Sequence, residues 1–272
     1  MTALHWIATG SDDGPTVLLS NPLGASLAVW RDLAAGLEPG FRVIRYDSRG
    51  HGRSPVGDAP IDIDSLADDA ADVLDAAGAE HAHIVGLSLG GMVGMSLAAR
   101  APSRVRSLTL MCTAAFFPDK AVWSERAGTA RAGRMADLAD GSLARWFTGK
   151  WAQEHPAEMM AAREMFLSTS AEGYARTAAA VGALDLRDSL ARIECPALVI
   201  AGGSDPSTPP AFLREITAGI ERSRFRELEG AHWLPVESAE AVAAAVLPFL
   251  RGVDQRVTDG VLPQHVRHSD NL

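Results

Sequence analysis

The sequence predicts an α/β fold: a mostly parallel, doubly wound sheet carrying a helical insertion. Three observations predict it. Short apolar runs alternate with amphipathic helical patterns over residues 16–111 and again over 197–250. That rhythm lays parallel strands side by side with helices on both faces. Between the two stretches, residues 116–190 keep helical spacing and carry no convincing strand. A glycine-flanked serine, in Gly86-Leu87-Ser88-Leu89-Gly90-Gly91, falls where a strand pattern meets a helix pattern. The expected organisation is a core made of residues 1–115 and 191–251, a helical cap over 116–190, and a polar tail over 252–272.

In chain order, residues 4–9 alternate weakly and suit an edge strand, and Asp12-Asp13-Gly14-Pro15 is a turn. Thr16–Ser20 is a short apolar run of buried-strand type. Asn21-Pro22-Leu23-Gly24 ends it, and a helix follows over 26–37 with Ser26 as N-cap. Residues 41–46 form the next strand, followed by the glycine-broken loop 47–55. Residues 63–77 place Leu66, Ala70, Val73 and Leu74 on one helical face. Then come the strand Ala82–Leu87, the helix Leu89–Arg100 and the strand Val105–Met111. The cap pattern is interrupted at Gly141-Ser142, Gly149 and Pro156. The core resumes with a strand at 197–201, the loop 202–210, a helix at 211–220, a strand at 224–228, the loop 229–233 and a final helix at 238–250.

Composition narrows the function. At 272 residues with 47% hydrophobic content, one large core with an insertion can be buried. The net charge of −9 and the lack of any basic run argue against nucleic acid as a partner. The cap holds nine basic and ten acidic side chains, so nearly all of that charge lies in the core. Two cysteines, Cys112 and Cys195, are too few for a disulfide framework or a zinc cluster and read as buried thiols. No window reaches the roughly 20 apolar residues of a membrane span. The first ten residues lack the basic and apolar regions of a signal peptide, so a cytoplasmic protein is expected.

The serine motif has a mechanical reading. A serine on a sharp strand-to-helix turn needs small neighbours because the turn crowds the backbone, and its oxygen then stands clear of the sheet. Acyl transfer by such a serine also needs a base, an orienting carboxylate and oxyanion donors, all at the carboxyl ends of strands. Asp205 follows the 197–201 strand in a Gly/Pro-rich loop, although Asp-Pro also serves plain turns. Among eight histidines, only His232 lies after a core strand and before the final helix. His81 and His83 precede the serine strand at the opposite end of the sheet, and His51 reads as a brace for its own loop. The order Ser88, Asp205, His232 is that of this architecture. The expected oxyanion donors are the backbone N–H groups of Leu89 and Leu23, since Pro22 has none.

These residues resemble the α/β-hydrolase superfamily, and within it the 3-oxoadipate enol-lactonases. The likeness runs over about residues 15–250. It rests on Asn21-Pro22-Leu23-Gly24, Asp47-Ser48-Arg49-Gly50-His51-Gly52, the serine motif through Met92, and Gly203-Ser204-Asp205-Pro206. Within the cap it rests on Arg131-Ala132-Gly133-Arg134-Met135, Arg145-Trp146-Phe147-Thr148, Glu172-Gly173-Tyr174 and Asp185-Leu186-Arg187, which are the more specific segments. The family usually carries a small hydroxyl residue where Pro22 stands and a small polar residue where Leu234-Pro235 follow the histidine, and both positions are expected to border the pocket. The resemblance implies hydrolysis of a small anionic enol-lactone through an acyl-enzyme, with no metal or organic cofactor. It leaves open a related carboxylesterase, lactonase or C–C hydrolase, and a non-catalytic ligand-binding member. An anionic substrate meeting an acidic protein needs a local cation. Arg131, Arg134 and Arg145 are the candidates for a carboxylate clamp, because guanidinium pairs bidentately with carboxylate, and Trp146 is a candidate pocket wall.

Overall fold

A computed structural model describes residues 3–259. Seven strands form one sheet: β1 (Trp6–Gly10), β2 (Thr16–Ser20), β3 (Arg42–Tyr46), β4 (Ala82–Leu87), β5 (Val105–Met111), β6 (Ala197–Gly202) and β7 (Ser223–Leu228). Their order is β1-β3-β2-β4-β5-β6-β7, with β1 antiparallel at the edge and every other pairing parallel. Helices cover both faces, so β4 and β6 bury every residue and read as continuous apolar runs rather than alternations. Each of Ile84, Val85 and Leu87 is at most 1% exposed, and burying such a side chain stabilises the fold by about 1.5–3 kcal/mol.

The core helices are α1 (Arg31–Leu37), α2 (Ile63–Ala76) and α3 (Leu89–Arg100) before the cap. A 3-10 turn, Leu27–Trp30, opens the first of these segments, and Ser26 caps it by accepting from the Ala28 N–H. On α2, Asp62 and Ser65 form a reciprocal capping box. The cap comprises α4 (Lys120–Arg131), α5 (Met135–Trp146), α6 (Gly149–Glu154), α7 (Pro156–Leu167) and α8 (Ala171–Ala183). After it come α9 (Pro210–Gly219), α10 (Leu234–Glu237) and α11 (Ala239–Thr258).

Three expectations are corrected. Gly141-Ser142 does not break the cap but lies inside α5; Ser142 is fully buried and accepts from the Arg126 guanidinium at 3.3 Å. The final helix does not stop at residue 250. It runs to Thr258, because Val253 is fully buried and Asp254 pairs with Arg106 at 2.8 Å and His83 at 3.1 Å. The tail therefore begins as helix, and residues 260–272 lie outside those described. Cys195 is only partly buried, whereas Cys112 is fully enclosed.

Register brings the functional loops together. Ser20 stands beside Gly86, Leu87 beside Met111, and Met111 beside Ile200. The loops bearing Leu23, Ser88 and Asp205 thus leave the sheet at one edge. The cap is seated over that edge where Gly173 on α8 meets Gly50 on the loop after β3. A Cβ on Gly173 would stand 2.6 Å from the Gly50 Cα, so the two backbones touch directly, and the Ser170 N–H donates to the Gly50 carbonyl at 3.0 Å.

Candidate active site

Ser88 joins β4 to α3 with φ 55° and ψ −113°, a left-handed conformation that costs a non-glycine residue about 1–3 kcal/mol. The surroundings hold it there. Its N–H donates to the Met111 carbonyl at 2.9 Å, and its own carbonyl accepts from Gly91 N–H at 2.9 Å and the Thr113 hydroxyl at 2.7 Å. A side chain at Gly86 would overlap the Gly90 carbonyl, and one at Gly90 would overlap the Ser20 carbonyl. The turn therefore closes only on glycine at both positions. Leu89 opens α3, so its N–H belongs to the unsatisfied first turn of a helix. The positive end of the helix dipole lies beside the serine. The Leu23 N–H donates to no protein acceptor among the described residues.

The loop carrying Leu23 is tied down by buried side chains. Asn21 donates to the Tyr46 carbonyl at 2.6 Å and accepts from the Trp30 indole at 2.8 Å. Asp47 accepts from Leu27 N–H at 2.7 Å and from His5 Nδ1 at 2.9 Å. His51, fully enclosed, bonds the Arg49 carbonyl through Nδ1 at 2.9 Å.

Asp205 and His232 form a buried pair. The Nδ1–H of His232 donates to Asp205 Oδ2 at 2.7 Å. Asp205 Oδ1 accepts from the Ser207 and Thr208 N–H groups at 2.7 and 3.1 Å, and Oδ2 also accepts from the Thr208 hydroxyl at 2.6 Å. Burial by itself raises the Asp205 pKa, but the neighbouring His232 charge and these hydrogen bonds outweigh it and hold the carboxyl below its ordinary value. An ionised carboxylate only accepts, so Nδ1 of His232 carries a proton. Cys112, at the end of β5, packs against this pair, its thiol 3.7 Å from the Ala231 carbonyl. Burial, and then the Asp205 charge, push its pKa well up, so it remains a neutral thiol.

Ser88, His232, Thr208 and Leu23 open on one cavity of about 590 Å³, a size that suits a small organic ligand. Arg145 and Trp146 line it too, whereas Arg131 and Arg134 do not. Arg131 is exposed and paired with Glu172 at 3.3 Å, and Arg134 is exposed and paired with Asp137 at 3.2 Å. Neither borders the cavity that Ser88 lines, so the structure does not bring them to the serine as clamp residues. Pro22, Leu234 and Pro235 are likewise absent from the lining; Pro235 serves instead in the first turn of α10. Trp146 stacks on Trp233, with centroids 4.0 Å apart and planes at 15°.

Arg126 and Thr208 also line the cavity and are not among the site residues expected from the sequence. Arg126 bonds the Tyr174 hydroxyl at 3.0 Å and lies 4.8 Å above the Trp123 ring. Its signal was the spacing of Trp123 and Arg126, one turn apart on α4. Thr208 was legible as the third residue after Asp205, where an aspartate side chain closes a turn on its own backbone. Arg145 is half-buried. Burial, and then the nearby Arg126 charge, lower its pKa, and it makes no ion pair among the described residues. The acids at this cavity, Asp119, Glu125 and Asp137, are all exposed, whereas Arg126 and Arg145 are partly buried.

A seven-stranded sheet of this order, with a strained serine at the β4–α3 turn, defines an α/β hydrolase. Residues 15–140 match the profile of the α/β hydrolase fold family, and the chain belongs to that family. It is 34% identical over 244 residues to a 3-oxoadipate enol-lactonase of Acinetobacter baylyi, covering 90% of this chain and 91% of that one. It is 35% identical over 268 residues to a Variovorax paradoxus protein proposed as the carbamate hydrolase RutD, covering 92% and 97%. The crystal structure of the enol-lactonase from Burkholderia xenovorans LB400 superposes with a TM-score of 0.90 at 38% identity, covering 92% of this chain and 97% of that one.

Proposed function

We propose that the protein hydrolyses a small anionic enol-lactone, 3-oxoadipate enol-lactone, through an acyl-enzyme formed on Ser88. His232 Nε2 removes the Ser88 proton as Oγ attacks the lactone carbonyl. Asp205 holds the imidazole in the tautomer this requires and stabilises the cation that forms. The N–H groups of Leu23 and Leu89 receive the oxyanion, each worth about 2.7–4 kcal/mol in the barrier. The leaving group is an enolate that stays within the same acyl chain; it departs more readily than a simple alkoxide, takes the proton back from His232 and ketonises, which returns the base to its neutral form. Water activated by His232 then frees the second carboxylate.

The observation that carries the substrate class is Arg145: a half-buried guanidinium, without a carboxylate partner, facing the cavity that Ser88 and His232 share. Burying an uncompensated cation is costly, and a substrate carboxylate would remove that cost. The enol-lactonase relatives support the same reading. Carbamate, suggested by the other relative's name, is also an anion, but with few heavy atoms it leaves most of a 590 Å³ cavity unfilled.

The test is turnover of 3-oxoadipate enol-lactone against neutral nitrophenyl esters. A kcat/KM higher for the enol-lactone, abolished in Ser88→Ala while product still binds, is the expected result. Efficient cleavage of neutral esters with no enol-lactone turnover would reassign the protein to a general carboxylesterase. Ligand binding with no turnover of any acyl substrate would make it a binding protein.

A further inference from the structure

We propose that Glu237 is a positioning residue that locks the cap to the base loop, so that His232 and Arg145 are held as one rigid unit. The inference rests on the assignment of His232 as the base. Glu237 ends the short helix α10, five residues beyond His232, and its carboxylate is divided between two distant segments. Oε2 accepts from the Ala231 N–H at 2.8 Å, directly before His232. Oε1 accepts from the Thr148 N–H at 3.1 Å and from the Thr148 hydroxyl. Thr148 follows α5, whose last turn carries Arg145 and Trp146.

Two further contacts run beside this bridge. The Trp233 N–H donates to the Trp146 carbonyl at 2.9 Å, and the Trp146 and Trp233 rings stack 4.0 Å apart. Phe147 meets Trp233 edge-on, with centroids at 5.6 Å. Residues 231–233 and 146–148 are therefore stitched through backbone, ring and carboxylate together. The residue immediately before Trp146 is the unpaired cavity guanidinium, and the residue immediately before Trp233 is the base.

The chemistry of the bridge calls for a carboxylate. Three donors, two N–H groups and one hydroxyl, converge on one side chain. Only an acceptor with two oxygens satisfies both arms at once. Glutamine, of the same shape, keeps one accepting oxygen and turns its NH2 donors against the other arm. A base displaced by an ångström costs up to about 100-fold in rate, so a loosened arm at Ala231 is read as lost kcat. A loosened arm at Thr148 is read as weaker anion binding through Arg145.

The experiment compares wild type, Glu237→Gln, Glu237→Ala and Thr148→Val on nitrophenyl acetate, which needs His232 but no cation, and on the anionic enol-lactone, with thermal melting alongside. For both Glu237 variants the expected kcat falls about 10- to 100-fold on both substrates, and KM rises only for the anionic one. Thr148→Val, which removes the hydroxyl bond of the cap arm and keeps the N–H bond, raises KM for the anionic substrate less than the Glu237 variants do and leaves kcat on nitrophenyl acetate within about twofold. If Glu237→Ala does not fold, the isosteric Glu237→Gln carries the comparison. Variants that melt lower yet keep wild-type kcat and KM on both substrates would make Glu237 a purely structural residue and overturn the coupling alone. A wild type inert to both substrates and unreactive at Ser88 toward a fluorophosphonate overturns the triad, and the coupling with it.

Discussion

Under the proposed function Ser88 is asked to be two things: a reactive hydroxyl and a tolerable occupant of a left-handed turn. Those demands separate by substitution. Alanine removes the hydroxyl and keeps the strain at φ 55°, whereas glycine removes both. Ser88→Gly is therefore expected to melt above Ser88→Ala by about 2–4 °C, the shift that roughly 1 kcal/mol produces in a domain of this size, with both variants inactive. Calorimetry of the pair against wild type checks it. The cationic residues separate as cleanly. Replacing a charge-assisted bond partner costs about 1.5–3 kcal/mol, so Arg145→Leu is expected to raise KM for the anionic lactone about 10- to 100-fold. Arg131→Ala is expected to change it less than about twofold, since an exposed pair such as Arg131–Glu172 contributes about 0–1 kcal/mol. Steady-state kinetics on the two proteins decides whether the clamp is Arg145.

At the scale of elements, the last turns of α11 are held by a buried network far from the cavity. His83 on β4 bonds the Ser107 hydroxyl through Nδ1 at 2.7 Å and Asp254 through Nε2 at 3.1 Å, while Arg106 holds the same carboxylate. Burial lowers the His83 pKa and outweighs the raising effect of Asp254. Asp254 is held below its ordinary value because His83 and Arg106 outweigh its own burial. Both shifts act in one direction. The unfolded chain binds protons more readily than the fold at both groups, so their stabilisation is present at high pH and lost as pH falls. The His83 part goes first, below its unfolded pKa of about 6.5, and the Asp254 part below about 3.9. The melting temperature is expected to drop between pH 7.5 and 5.5, with a shallower slope in His83→Gln, as melts across that range would reveal. The network also explains what the sequence concealed. Strands β2, β4 and β5 and helix α3 were legible because apolar runs and glycines mark them locally. The end of α11 was not, because Asp254 reads as a polar tail residue until Arg106 and His83, more than a hundred positions away, are brought beside it. The candidate triad follows from loop positions after core strands. Arg126 and Glu237 escaped because each acts through a partner that only the fold supplies, Tyr174 for one and Thr148 for the other, whereas Thr208 acts through Asp205, three positions before it.

The whole molecule carries a charge of −9, so under the proposed function a small dicarboxylate is held by the partly buried Arg126 and Arg145 of the cavity against the overall field. A ligand that binds only the folded state at 100 times its Kd stabilises it by about 2.7 kcal/mol. Adipate at that level is expected to raise the melting temperature by about 5–10 °C. The gain should vanish in Arg145→Leu and persist in Arg131→Ala, as thermal-shift titration measures. The seat of the cap gives this arrangement a direction in which it can change. Gly50 and Gly173 meet with no room for a side chain, so at that point α8 rests on the core through main chain, while its Arg176 reaches across to the Gly57 carbonyl at 2.8 Å. The wall formed by α4, with Val122, Trp123 and Arg126, is built from replaceable side chains. A descendant of this protein is thus free to exchange one substrate for another by redrawing that wall, while a single methyl group at either glycine would tilt the cap off its seat. Inheritance of the fold and diversification of its chemistry are assigned to opposite sides of one cavity.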